Sequence, residues 1–318
     1  MHHDVSFDDQ NTIRSNQFGD IYFSTENGIA ETTHVFLGGN HLPQAWQNTD
    51  HFTIAETGFG TGLNILCAWK LFEETAVPHQ RLDIVSTEKF PLKREDIARA
   101  LKPFQSQFGK RIETLLQQYP LRIPGFHRLW LSDRVTLTLI FDDAASAFSQ
   151  IDHPIDAWFL DGFAPVKNPD MWSPELFQQM ARLSHEQTTF ATFTAAGDVK
   201  RGLENVGFKV EKVNGFGRKR DMLIGSCTKN KKPKYTTAKN VAIIGAGLAG
   251  AATAYCLKRR GIDVTVFEKN DCVGNGASSN QMALINPKLF ADPHSPQTQM
   301  SSTGYSFILN QLACFSDI

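Results

Sequence analysis

The sequence predicts an α/β protein carrying two nucleotide-binding units, and three observations lead there. Short apolar runs with strand character alternate with helix-like stretches through most of the chain. Two of these runs lead directly into glycine-rich turns that open a helix: Glu56-Thr-Gly-Phe-Gly-Thr-Gly-Leu-Asn64 after Phe52–Ala55, and Gly245-Ala-Gly-Leu-Ala-Gly250 after Asn240–Ile244. The turns lie about 190 residues apart in a chain of 318, so each opens a unit of its own.

The elements follow in order. After Glu56 a helix is expected over Leu63–Glu74 and a strand over Leu82–Thr87 that ends at Glu88; a helix runs from about Leu92 to Leu101. The strand Val135–Phe141 ends in Asp142-Asp143 and leads into a short helix, Ala144–Gln150. The next strand, Ile155–Leu160, ends at Asp161. A helix over Pro174–Leu183, a strand over Thr188–Thr194, a helix over Asp198–Val206 and a hairpin over Phe208–Cys227 complete the first unit. Strands alternating with helices imply a parallel sheet covered on both faces.

Ligands of such sheets sit beyond the carboxyl ends of the strands, which is where Glu56, Glu88, Asp143 and Asp161 fall. Gly58, Gly60 and Gly62 let the backbone approach a ligand closely. Their G-x-G-x-G spacing differs from the G-x-G-x-x-G of nicotinamide sites. Glu56, two residues ahead of the first glycine, would repel a diphosphate but suits the methionine amine of S-adenosylmethionine. Glu88 is placed to accept hydrogen bonds from both ribose hydroxyls, and Asp143 to hold the adenine amino group. The first unit therefore reads as a Rossmann-like S-adenosylmethionine-dependent methyltransferase domain, with Glu56, Gly58, Gly60, Gly62, Glu88 and Asp143 binding the donor.

Composition narrows the setting. With 41% hydrophobic and 20% charged residues the chain is ordinary globular protein. No apolar run approaches the roughly 18 residues of a membrane span, and Met1–Asp9 lacks the basic and apolar regions of a signal peptide. A cytoplasmic monomer without membrane contact is expected. Cys67, Cys227, Cys256, Cys272 and Cys314 are scattered without metal-ligand spacing, so neither a metal site nor a disulfide is expected. The net charge of −1 argues against general nucleic-acid binding. Between Ala195 and Lys239, however, twelve Lys or Arg face four acids, a local excess that can attract phosphates. A solvated face with a lysine-rich linker is the competing reading.

The stretch Asp161-Gly-Phe-Ala-Pro-Val-Lys167-Asn-Pro-Asp-Met-Trp172 points to the acceptor. Methyl transfer to nitrogen needs a free lone pair, so a carboxylate beside the amine can orient it and take up its proton. Asp161 is the candidate. Phe163 and Trp172 could stack on a base, with core packing as the alternative, and Lys167 could touch phosphate.

These residues carry a resemblance. The run from Glu56 through Asp161–Trp172 to Gly215-Phe-Gly-Arg-Lys-Arg-Asp-Met222, together with Phe18-Gly-Asp-Ile-Tyr-Phe23 and Val35–Leu42, resembles the methyltransferase half of the bacterial bifunctional enzymes of tRNA 5-methylaminomethyl-2-thiouridine biosynthesis. The resemblance implies methylation of 5-aminomethyl-2-thiouridine at the wobble position of tRNA. It implies Asp161 as the catalytic carboxylate, and tRNA phosphates as partners of the basic excess, with Lys219 and Arg220 among the substrate-binding residues.

The second unit is a βαβ piece: strand Val241–Ile244, the turn with Gly245, Gly247 and Gly250, helix Ala251–Arg260, and strand Asp263–Phe267 ending at Glu268. Glu268, eighteen residues past Gly250, is placed for an adenosine ribose, and the turn sets a diphosphate on the helix N-terminus. Gly276-Ala-Ser-Ser-Asn280 and Ala283-Leu-Ile-Asn-Pro287 resemble the flavin-contacting segment of glycine-oxidase-like amine oxidases, implying FAD. In the bifunctional family such a half removes the carboxymethyl group from 5-carboxymethylaminomethyl-2-thiouridine, supplying the amine to be methylated. The expected organisation is a methyltransferase domain over residues 1–228, a basic linker over 229–239, and an incomplete FAD-binding βαβ Rossmann segment over 240–318. Only 79 residues follow Lys239, so a truncated oxidoreductase that binds FAD weakly or not at all is expected. Two other functions compete: a small-molecule amine N-methyltransferase, indifferent to tRNA, and a non-catalytic RNA-binding module, which would not bind the methyl donor.

Overall fold

A computed structural model of the chain describes residues 4–9, 12–23, 27–217, 219–228, 238–280, 284–292 and 295–315. The chain divides into two compact units, Met1–Pro233 with Lys288–Ile318, and Lys234–Pro287. The expected basic linker lies mostly outside the described residues.

In the first unit, β1 (Val5–Phe7), β2 (Ile13–Ser15) and β3 (Asp20–Ile21) form a small antiparallel sheet. α1 (Gly28–Thr32) continues into a π-helical stretch over Thr33–Gly38. Then come β4 (His51–Glu56), α2 (Leu63–Thr75), β5 (Arg81–Thr87), α3 (Arg94–Leu101), α4 (Gln105–Gln118), β6 (Gly125–Trp130), β7 (Val135–Phe141) and α5 (Ala144–Ser149). β8 (Ile155–Phe159), α6 (Pro174–Leu183), β9 (Ser184–Thr192), α7 (Gly197–Val206), β10 (Phe208–Asn214) and β11 (Asp221–Cys227) complete the series.

The main sheet has eight strands in the order β10-β11-β9-β8-β4-β5-β7-β6. Its centre, from β9 to β7, is parallel, as the alternating pattern predicts. Both edges are antiparallel: β6 pairs with β7, and the β10–β11 hairpin adds to β9. β6 is not expected from the sequence, because its buried positions include His127 rather than an unbroken apolar set. β9 starts at Ser184, earlier than expected, because Ile155 pairs with Ser184 ahead of an irregularity in the β8–β9 ladder.

Successive residues of a strand face opposite sides of the sheet. Ile54 and Phe159 accordingly join the core under α2 and α4, with Ile65, Leu66, Phe72, Phe108 and Ile112. Their neighbours Ala55 and Trp158 join the other core, with Phe148, Phe177, Met180 and Leu203. Each such large apolar side chain, once fully buried, stabilises the fold by roughly 1.5–3 kcal/mol. The chain passes β4, β5 and β7 on one side and then returns to β8 on the other, so the order reverses between β4 and β8. That is the switch point at which α/β sheets bind ligands.

In the second unit β12 (Asn240–Ile244) and β13 (Asp263–Phe267) pair in parallel, joined by α8 (Leu248–Arg259). The helix begins three residues earlier than expected, with Gly247 in the N-cap position. No residue of α8 is buried. The last helix, α9 (Pro296–Phe315), packs against β6 in the first unit, where the Asn310 amide donates to Gln118 O at 2.9 Å. α9, expected within the flavin segment, makes these contacts at the edge of the main sheet. Among the described residues no helix is long and apolar enough to cross a membrane.

Candidate active site

A cavity of about 760 Å³ opens at the carboxyl ends of β4, β5, β7 and β8. That volume lies within the roughly 300–1,000 Å³ typical of small-molecule sites.

The turn after β4 forms one wall. Gly58 lies against the chain after β8: a Cβ there would meet Asp161 O at 3.0 Å and Met171 Cε at 3.2 Å. Gly60 adopts φ +53°, in the left-handed region that favours glycine, and its N–H donates to Glu88 Oε2 at 2.9 Å. Phe90 N–H holds the other oxygen at 2.8 Å. Burial raises the Glu88 carboxyl above its ordinary range, and these two N–H bonds oppose the rise. Gly62 (φ +81°) does not line the cavity; it is the N-cap of α2. Asp143 caps α5 by accepting from Ala145 N–H at 3.1 Å, and it pairs with Lys89 at 3.1 Å. Glu88, Lys89 and Asp143 all line the cavity.

Glu56, expected at the methionine amine, takes a different place. It is fully buried and does not line the cavity. Ser86 Oγ donates to its Oε2 at 2.6 Å and Asn64 Nδ2 to its Oε1 at 3.0 Å. Burial pushes its carboxyl well above the ordinary range, with Asp161 nearby adding to the rise. It supports the floor from below through Asn64.

Asn64 also donates to Asp161 Oδ2 at 2.7 Å, while Gly162 N–H donates to Oδ1 at 2.8 Å. Thr32 Oγ1 donates to Asn64 Oδ1 at 2.7 Å, which fixes the amide so that both its N–H groups face carboxylates. Burial pushes the Asp161 carboxyl up to about 6, against the lowering by the Asn64 and Gly162 bonds. Gly162 is confined to glycine, because a Cβ there would collide with Met171 Sδ. The result is an oriented carboxylate, lining the cavity, with a proton affinity close to neutrality.

The substrate candidates separate into two groups. Phe163 lines the cavity, stacked on Phe18 at 4.8 Å and edge-on to Tyr22 at 5.2 Å. Lys167 and Lys219 line it too, each paired with an acid: Lys167 with Asp20 at 3.0 Å, Lys219 with Glu31 at 2.8 Å. Trp172 does not line it. Its indole donates to Phe163 O at 3.1 Å and its ring packs edge-on to Phe193, so it braces the loop instead of facing a base. Arg220 is exposed and outside the lining. Sequence reasoning missed Asn64, Glu31, Tyr22 and Phe18 as parts of the site. Asn64 ends the glycine turn itself, so its position was a usable signal; the others come from a segment without a periodic pattern.

In the second unit the dinucleotide turn has the expected local form. Gly245 has φ +99°, and a Cβ on Gly250 would collide with Gly245 O. Glu268 accepts from Ala246 N–H at 2.8 Å and Asn270 N–H at 3.0 Å, which hold its carboxyl below the ordinary range. Leu248 N–H, at the start of α8, donates to Ser278 Oγ at 3.0 Å, so the Gly276–Asn280 stretch lies at the helix N-terminus. The turn and the acid fit an adenosine diphosphate moiety. In this unit Ile244 and Leu284 are about nine-tenths exposed (92% and 90%).

Residues 106–228 match the S-adenosyl-L-methionine-dependent methyltransferase family, and residues 240–314 the FAD dependent oxidoreductase family. Among curated proteins, the tRNA 5-methylaminomethyl-2-thiouridine biosynthesis bifunctional protein of Chromohalobacter salexigens is 50% identical over 302 residues, covering 90% of this chain and 43% of that protein. The protein of the same name from Methylobacillus flagellatus is 48% identical, over 94% of this chain and 46% of its own length. The Pseudomonas putida protein is 42% identical over 98% of this chain and 50% of its own. The chain thus spans about half the length of the curated relatives it matches. Among solved structures, the MNMC2 protein of Aquifex aeolicus superposes with a TM-score of 0.56 at 24% identity, covering 73% of each chain, a likeness of fold.

Proposed function

We propose that this chain, a relative of the bifunctional proteins of tRNA 5-methylaminomethyl-2-thiouridine biosynthesis that matches their methyltransferase half and the start of their FAD-dependent half, is an N-methyltransferase of a tRNA wobble uridine. Its acceptor is the amine of 5-aminomethyl-2-thiouridine and its donor S-adenosylmethionine. The observation that carries this reading is the convergence of Gly58, Gly60, Glu88, Asp143 and Asp161, from four strand ends, on one cavity. The acceptor is supported by the name the relatives bear and by an oriented carboxylate at the cavity wall.

The donor supplies a methyl carbon on a sulfonium. The chain's residues do the rest. Gly58 and Gly60 admit it to the turn, Glu88 takes the ribose hydroxyls and Asp143 the adenine amino group. Asp161, whose carboxyl is pushed up to about 6, is ionised at neutral pH and accepts a proton from the substrate ammonium, freeing the nitrogen lone pair. The nitrogen bonds the methyl carbon as the carbon–sulfur pair returns to sulfur, and Asp161 releases its proton to water. General-base assistance of this kind is worth about 10²–10⁴ in rate.

Within a longer protein the second unit would belong to an FAD-dependent half that removes the carboxymethyl group first. The function is tested by incubating tRNA bearing 5-aminomethyl-2-thiouridine with the chain and isotopically labelled S-adenosylmethionine, then weighing the digested nucleosides. Label confined to 5-methylaminomethyl-2-thiouridine is the expected result; label absent from tRNA, or found only in free amines, would contradict it.

A further inference from the structure

We propose that Glu31 is a second acceptor-side carboxylate, which receives the substrate's ammonium together with Asp161 and is held in place by Lys219. This rests on the reading of the cavity as an amine methyltransferase site.

Three observations carry it. First, Glu31 lines the same cavity as Asp161 although it comes from α1 and not from the sheet. Its neighbour Thr32 ties α1 to Asp161 through two successive hydrogen bonds, Thr32 Oγ1 to Asn64 Oδ1 and Asn64 Nδ2 to Asp161 Oδ2, each 2.7 Å. Second, Lys219 Nζ donates to Glu31 Oε1 at 2.8 Å and lies 4.1 Å from the centre of the Phe193 ring. Glu31 is thereby held at one oxygen, leaving the other for a ligand donor. Third, with Lys219 at the cavity wall the charges balance when Glu31 is present and not without it. Asp161 and Lys219 alone would form a neutral pair, to which an ammonium would add an uncompensated positive charge in a half-buried, aromatic-walled corner. Uncompensated charges are costly there. With Glu31 the corner carries one net negative charge, and the ammonium neutralises it.

The charged groups facing Asp161 are Glu31 from α1, Lys219 from the β10–β11 connection and Glu56 from β4 below. Elsewhere the cavity presents Glu88, Asp142, the Lys89–Asp143 and Lys167–Asp20 pairs, and Asp170. Glu31 raises the proton affinity of Asp161 and Lys219 lowers it. Removing each should therefore move the acid limb of the kcat/KM profile in opposite directions, and a raised KM for tRNA with donor affinity kept is what separates an acceptor-side carboxylate from a merely structural ion pair.

The test compares the full chain with Glu31→Gln and Lys219→Met on tRNA bearing 5-aminomethyl-2-thiouridine. Glu31→Gln should raise KM for tRNA at least tenfold, leave the calorimetric Kd for S-adenosylmethionine within about twofold, and shift the acid limb to lower pH. Lys219→Met should shift it to higher pH. If Glu31→Gln impairs folding, seen as lost donor binding, Glu31→Asp carries the test: it keeps the charge and should keep the acid limb near that of the original chain. Unchanged KM in Glu31→Gln, shifts of the same sign in both variants, or an acid limb in Glu31→Asp displaced as far as by loss of charge would overturn the proposal. An original chain that is inactive on this tRNA would instead sink the reading on which the proposal rests.

Discussion

β4, the turn at residues 57–62 and α2 recur in outline as β12, the turn at 245–250 and α8, but the two copies differ in what covers them. Five of the six residues of β4 are buried, and α2 buries eight, from Leu63 to Phe72. β12 alternates between exposed and half-buried positions, and α8 buries nothing. Both turns nevertheless hold glycines in left-handed backbone, and both place an acid from the next strand end on a turn N–H: Glu88 on Gly60, and Glu268 on Ala246. A nucleotide-binding turn is thus a local structure that sequence can specify within a few residues. A nucleotide site is a tertiary one, which needs walls from distant elements. The first unit has them in α1, the segment around Phe18–Tyr22 and the loop after β8.

The contrast can be broken at several points. Its largest consequence is in stability. Phe159 is fully buried and stacks against Phe36 at 5.5 Å, so Phe159→Ala should cost about 3–5 kcal/mol in urea denaturation. Phe267 is 57% exposed at the end of β13, and Phe267→Ala should change stability by no more than about 0.5 kcal/mol. Comparable losses at both positions would mean that the second unit is covered after all.

Next comes donor binding. Gly60→Val forces a β-branched residue into a left-handed backbone, with its Cβ about 3.1 Å from the Tyr22 ring. Calorimetry should show at least a hundredfold weaker S-adenosylmethionine binding. Gly245→Val, which strains the other turn in the same way, should leave that affinity and methyl transfer unchanged. Glu88→Gln keeps the shape but loses the charge, and should weaken the donor about tenfold, roughly 1.4 kcal/mol.

The smallest effect concerns pH. Asp161 is raised from its ordinary range to about 6 in the folded chain, so its ionisation disfavours folding. The sign is opposite to that of a salt-bridged acid: stability should fall as pH rises from about 4 through 6. Asp161→Asn should flatten this dependence and change stability at pH 8 by no more than about 1 kcal/mol, because relief of the buried charge is offset by an amide N–H set against the Asn64 or Gly162 donor. Identical pH–stability curves for the two proteins would show that the carboxylate is solvated like any other.

Much of this was legible because β4, β5, β7 and β8 carry buried apolar residues and end in or lead within two residues into acids. Val135–Phe141 and Pro174–Leu183 match the expected boundaries, and β4 leads into its turn where the glycines require. The edges were less legible. α4 buries Phe108, Ile112 and Leu115 at helical spacing, but Pro103 just before it and Gly109 inside it, with non-helical backbone, obscure the pattern. β1, β2 and β3 are two or three residues long, too short to show a period. In the site, residues at strand ends could be nominated from position alone. Glu56 shows the limit of that rule. The last residue of a strand can point into the cavity or under it, and Ser86 and Asn64 hold this one below. Glu31 and Lys219, 188 residues apart in sequence, meet only through the fold.

The central claim is that Asp161 acts on the acceptor and not on the donor. The direct measurement is the pair of S-adenosylmethionine affinity, by calorimetry, and methyl transfer to tRNA bearing 5-aminomethyl-2-thiouridine, by nucleoside mass spectrometry, for Asp161→Asn against the original chain. The account predicts a Kd within about threefold and a rate lower by about 10²–10⁴. A variant that still methylates at a comparable rate, or that loses the donor along with the rate, would contradict it.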